Sequence, residues 1–132
     1  MVETPGVRGL PRVVLRAEGA AIFALSLLLY AKTDWSWWLM TVLFLAPDVS
    51  FLGYLGGPRI GVIVYNAAHS LLGPLVIVAA GLLLPTFILL PVALIWTAHI
   101  GFDRLLGYGL KYSAGFGYTH LGPIGRASAQ KI

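Results

Sequence analysis

The sequence predicts an all-α fold, a four-helix transmembrane bundle running up-down-up-down with both termini cytoplasmic. Three observations carry this expectation. Hydrophobic residues make up 58% of the 132-residue chain and charged residues 11%, where a soluble domain carries roughly a quarter charged residues to wet its surface. Four apolar stretches each approach or exceed the roughly 20 residues that a helix needs to cross a bilayer. Short polar or glycine–proline breaks separate them, and loops that short force neighbouring helices to run antiparallel. The length suits a single integral membrane domain over residues 1–132, with no room for a soluble domain as well.

The first span is expected at about 13–31 and ends at the polar turn Lys32-Thr33-Asp34. The second, at about 35–55, ends at Gly56-Gly57-Pro58-Arg59, which joins conformational freedom to a proline and a charge. The third is expected at 60–84 and is closed by Pro85; the fourth runs from 86 to 112. That last stretch is about five residues longer than a crossing needs, so it tilts or projects into the interface. Residues 113–132 are rich in glycine and too short to cross. They are expected as a cytoplasmic tail or interfacial loop, lying on the membrane or folding back over the mouth of the bundle.

Basic residues set the orientation. With the N-terminus in the cytoplasm, Arg8, Arg12, Arg16, Arg59, Arg104, Lys111, Arg126 and Lys131 fall on the cytoplasmic side and only Lys32 on the other, a positive-inside pattern. Trp35, Trp37 and Trp38 then form an aromatic belt at the outer interface. The net charge of +4 is explained by these flanks, so no nucleic-acid partner is expected. Pro5 and Pro11 interrupt the N-terminal segment, which does not read as a cleaved signal peptide. The chain has no cysteine, which excludes disulfides, thiolate metal sites and cysteine nucleophiles. No phosphate-binding loop, dinucleotide fingerprint or internal repeat stands out, and Ser70 directly follows His69 on a helix, so the two cannot pair closely.

The chemistry is expected where polarity interrupts hydrocarbon. Glu18, Asp48, His69, His99 and Asp103, with Asn66, sit inside the apolar stretches. Counted at about 1.5 Å per residue, they lie about 9 to 18 Å in from the cytoplasmic ends, which predicts a shared cavity in the inner half of the bilayer. Ionisable groups at such depth are expensive and face the bundle interior. His99 and Asp103 are four apart and Asn66 and His69 three apart, so each pair shares a helix face. A histidine and a carboxylate one turn apart can point at one divalent ion. His69, His99, Asp103 and Asp48 are therefore the expected metal ligands, in a nitrogen–oxygen set that suits zinc, manganese or iron. Pro47 frees a backbone carbonyl in the turn before Asp48. Each residue also has an inert reading. Asp103 or Glu18 could pair with an arginine near the interface, and either histidine could bond a carbonyl across helices. Asn66 and Arg104 are read as structural polar groups, and His120 as interfacial. Gly101, Gly107 and Gly109 suit close helix contact and would permit a homo-oligomer.

The segments Arg16-Ala17-Glu18-Gly19, Ala46-Pro47-Asp48-Val49, Tyr65-Asn66-Ala67-Ala68-His69-Ser70, His99-Ile100-Gly101-Phe102-Asp103-Arg104 and Tyr118-Thr119-His120-Leu121-Gly122 resemble a family of small bacterial membrane proteins known as a domain of unknown function. That resemblance implies four spans, a polar cluster and a multi-pass protein of the inner membrane. Locally, Pro47-Asp48, His69-Ser70-Leu71-Leu72 and His99-x-x-x-Asp103 are similar to motifs of inner-membrane metal-dependent hydrolases. That family has a second acid where this chain has Ser50, and a further histidine where it has Ile63 or Tyr65.

Together these readings favour a divalent-metal-dependent hydrolase acting on a lipid or amphiphilic ester, with Asp48 and Glu18 as catalytic groups and membrane lipids as partners. The same residues would serve two alternatives, a small proton- or cation-coupled transporter and a non-catalytic ligand-binding or structural membrane module.

Overall fold

A computed structural model describes residues 5–129; Lys131, one of the basic residues named above, lies outside the described residues. The order is α1 (Gly9–Ala31), α2 (Trp37–Leu43), a 3-10 helix (Ala46–Gly56), α3 (Pro58–His69), α4 (Leu72–Leu83) and α5 (Leu89–Leu106). A small antiparallel hairpin, β1 (Tyr118–Thr119) and β2 (Gly122–Pro123), and a short α6 (Arg126–Ala129) follow. Three stretches are long and apolar enough to cross a membrane: Gly9–Ala31, Trp37–Gly56 and Leu89–Leu106. A fourth exists if α3 and α4, which meet at 47°, are taken together. The surface agrees with a lipid environment, since large apolar side chains such as Leu82 (83% exposed) and Phe87 (89% exposed) point outward.

Two of the expected spans are broken where continuous helices were anticipated. Both breaks lie beside a proline. Pro47 has no N–H, and the N–H of Asp48 turns back to the carbonyl of Leu45 (3.1 Å). The chain therefore tightens into 3-10 geometry after α2. Pro74, buried in the first turn of α4, cannot donate to the carbonyl of Ser70, and its ring would clash with it in a continuous helix. Ser70 is accordingly extended (φ −92°, ψ 150°) and α3 stops at His69. The carbonyl of Ala68 at that broken end accepts the indole N–H of Trp96 from α5, at 2.6 Å. This supplies one of the partners that a helix terminus lacks.

α1 and α5 pack antiparallel along their lengths. Arg16 Nε donates to the carbonyl of Leu105 at one end (2.8 Å), and Tyr30 packs with Ile95 and Met40 at the other. Between them Gly19 and Gly101 bring the two backbones together: a Cβ on Gly101 would stand 2.8 Å from the Gly19 carbonyl oxygen. α3 lies on the 3-10 helix and α4 on α5.

The expected fourth span ends early, at Leu106 and not at 112. Gly107 adopts φ +90°, a left-handed conformation that closes helices, and the N–H of Tyr108 bonds back to the Asp103 carbonyl (2.8 Å). The segment beyond folds back on the bundle. Lys111 bridges to Thr119, and the N–H of Val7 donates to the carbonyl of His120 (2.7 Å). His120 Nδ1 accepts the N–H of Leu110 at 2.8 Å. Burial, helped by the positive charge of Arg104, holds the His120 pKa below its ordinary value, which keeps that nitrogen free to accept.

Candidate metal centre

The break at Pro47 builds one half of the site. Phe44 ends α2, and neither of the next-turn residues can serve its carbonyl, because Pro47 has no hydrogen and Asp48 bonds Leu45. His99 Nδ1 takes that carbonyl at 2.6 Å from α5. The other half follows from α3, where His69 Nδ1 bonds the carbonyl of Tyr65 one turn back, at 2.9 Å. Carbonyl oxygens only accept, so both Nδ1 atoms carry hydrogen. Each neutral imidazole therefore presents a lone pair at Nε2. Metal-binding histidines are oriented in this way, with the second nitrogen tied to a carbonyl or carboxylate.

The two Nε2 atoms face one another at 3.2 Å. Asp48 Oδ1 lies 3.3 Å from His69 Nε2 and 3.2 Å from His99 Nε2. Asp103 Oδ2 lies 3.4 and 3.1 Å from the same two atoms. All four ligand atoms fall within 4.8 Å of one another. Atoms held about 2.0–2.1 Å from one ion at tetrahedral angles stand about 3.3 Å apart, which matches the five separations. With both imidazoles neutral, four acceptor atoms converge, an arrangement that a cation would satisfy. A proton on each Nε2 would set two N–H groups against each other at 3.2 Å, whereas one divalent ion satisfies all four atoms. Two carboxylates and a divalent ion also sum to zero charge, which a low-dielectric interior favours. This buried group could hold a metal ion.

The histidines are almost fully enclosed, with side chains 4% and 2% exposed, while Asp103 is 16% and Asp48 38% exposed. Tyr65 seals one face of His69, its ring stacked at 3.9 Å and 10°. Asp48 and Asp103 open onto a cavity of about 620 Å³, walled by Phe51, Tyr65, Lys111 and Phe116 and reached by Arg126 from α6.

Four of the five ionisable groups expected inside the membrane meet here: Asp48, His69, His99 and Asp103. Glu18 does not join them. It is exposed on α1, whose buried face carries Gly19, Ser26 and Tyr30, and its charge acts on Arg104 instead. Asn66 is also outside the ligand set. Its amide holds the backbone of Lys111 from both sides, accepting from the N–H at 2.7 Å and donating to the carbonyl at 2.9 Å. Ser50, two residues after Asp48, is part-buried with its hydroxyl unpartnered.

Tyr65 and Lys111 are the site residues that the sequence did not single out. Tyr65 was findable, four residues before His69 on the same face. Lys111 was not, because its place on the wall depends on the fold-back of the C-terminal segment. No curated protein and no solved structure matches the chain. A family model matches residues 12–124, nearly the whole length over which the elements and the ligand set extend, and the chain therefore belongs to the family described as domain of unknown function DUF4260.

Proposed function

We propose that the protein is a divalent-metal-dependent hydrolase of the bacterial inner membrane that cleaves an ester in a lipid or other amphiphile. The observation that carries the proposal is the convergence of two carbonyl-anchored histidines and two carboxylates on one point, at the floor of a cavity whose wall includes Phe51, Tyr65, Tyr108 and Phe116. His69, His99, Asp103 and Asp48 would hold the ion, and zinc, manganese or iron suits this donor set. When bound, such an ion supplies Lewis acidity and lowers the pKa of water. The chain's own groups do the rest. His69 and His99 are fixed by the backbone and do not take part in proton transfer. Asp48, the more exposed carboxylate, would take the proton of the attacking water on Oδ2, the oxygen that does not face the histidines. The water hydroxyl joins the ester centre, the ester C–O or P–O bond breaks, and the proton passes to the departing alkoxide. Glu18, on the outside of α1, is assigned no step.

A four-crossing arrangement with both termini cytoplasmic belongs to the same proposal. It is supported by the antiparallel pairing of α1 with α5. If α1 leaves the cytoplasm, α5 returns to it. With Trp37–Gly56 as one crossing, α3 and α4 must together make another.

The test is metal analysis of detergent-purified protein by mass spectrometry, alongside hydrolysis of a chromogenic alkyl ester in mixed micelles. About one ion per chain is expected in the native protein, falling at least tenfold in His69→Ala and His99→Ala, with activity lost in step. Chelator-stripped protein with undiminished turnover would falsify the proposal, and transport of protons by metal-free protein in liposomes would favour the relay alternative.

A further inference from the structure

The cavity above the ligand set holds a second feature that metal binding does not use. Lys111 is 5% exposed, yet among the described residues its ammonium forms no ion pair. It donates to the carbonyl of Phe116 at 2.9 Å and lies over the rings of Phe116 (3.7 Å to the centroid) and Tyr65 (4.7 Å). Asp103 acts on it electrostatically without touching it. A buried ammonium is costly unless paired, and here the backbone is clamped by Asn66 so that the side chain must enter the wall. The charge balance points the same way. Asp48 and Asp103 bring two negative charges to the cavity, Lys111 and Arg126 two positive ones. A divalent ion on the four ligands would neutralise the carboxylates, leaving two positive charges of the lining uncompensated among the described residues. The remaining wall is apolar, with Phe51, Phe116 and Ile124.

We infer that Lys111, with Arg126 at the rim, binds the ionised phosphate of an alkyl phosphate monoester whose chain lies along Phe51 and Phe116. This names the substrate class of the hydrolase proposed above and rests on that reading. A phosphate monoester carries close to two negative charges at neutral pH, which matches the surplus. Its oxygens can take the ammonium donors that Phe116 leaves unused. The alkyl chain replaces water against the aromatic wall.

The test is calorimetric titration of metal-loaded protein in neutral nanodiscs with hexyl phosphate, inorganic phosphate and hexyl glucoside. Hexyl phosphate is expected to bind about tenfold or more tighter than either comparison ligand. Lys111→Met should weaken it about tenfold, Lys111→Arg by no more than about threefold, and Arg126→Gln, at an exposed position, by about threefold. Hexyl glucoside binding as tightly as hexyl phosphate would overturn the inference, as would unchanged affinity in a folded Lys111→Met. Inorganic phosphate binding as tightly as hexyl phosphate would assign the site to free phosphate and overturn the amphiphile. Should Lys111→Met fail to fold, the headgroup series on native protein and the Arg126→Gln result still decide. Metal content of the same samples reads the hydrolase proposal separately, because none of the three substitutions touches a ligand.

Discussion

Lys111 shows how a single side chain records the cost of a site. Burial pushes its pKa down from 10.5 to about 8, with the charge of Asp103 pulling partly back. Between those two pH values the unfolded chain holds a proton that the folded chain has released. The folded state therefore gains stability as pH rises through this window, and below about 8 the full cost of the buried charge is present. Unfolding in detergent at pH 7.5 to 10 should show the native protein gaining on the order of 2 kcal/mol, and Lys111→Met should lack that gain. Equal pH profiles for the two proteins would mean that the ammonium is hydrated and not enclosed by Phe116 and Tyr65. The four residues that converge stood out in the sequence because ionisable groups are so unfavourable in hydrocarbon. Their common level along the bundle was legible too, but not their direction. Glu18 stands at a fitting depth and fails on azimuth: one residue along, about 100° round the helix, Gly19 takes the position against α5.

Among the elements, the breaks matter more than the helices. A hydropathy window averages over a proline, so a continuous third span was expected although Gly73-Pro74 stands in its middle. Pro47 was read correctly as freeing a carbonyl, and Phe44 then presents that carbonyl to His99. Gly107 was taken for a packing residue and is the left-handed stop of α5. Gly101 was taken for a close-contact residue and is one. A Cβ there would stand 2.7 Å from the backbone nitrogen of Phe23 and 2.8 Å from the Gly19 carbonyl oxygen, and neither atom can rotate away. Gly101→Ala should therefore push α1 from α5, lower stability by about 1–3 kcal/mol, and reduce metal content, since His99 and Asp103 flank it. Gly81→Ala is the control. Its Cβ would meet only Leu89, at 3.4 Å or more, and removing a helical glycine should stabilise by up to about 1 kcal/mol. Thermal unfolding in the same detergent compares them, and shifts of the same sign would undercut the close crossing.

At the scale of the whole molecule, the pairing of α1 with α5 constrains topology more tightly than any single hydropathy peak. Arg16 meets Leu105 at one end, so if both helices cross, the start of α1 and the end of α5 share a side of the membrane. Crossings between them must cancel. If α3 and α4 formed a re-entrant loop while Trp37–Gly56 crossed, α5 would begin on the cytoplasmic side and run parallel to α1, against the observed contacts. A broken helix at mid-depth is tolerated where it lines protein or a cavity and not lipid, and the break at Ser70 sits directly beside His69. The absence of native cysteine makes this directly measurable. Single substitutions Asp34→Cys and Thr86→Cys should react with a membrane-impermeant maleimide from outside intact spheroplasts, while Arg59→Cys and Ser113→Cys should react only after lysis. Thr86→Cys is the decisive position: protected in intact cells together with Arg59→Cys, it would make α3–α4 a re-entrant loop. The four ligands would then no longer be held between crossings of opposite sense.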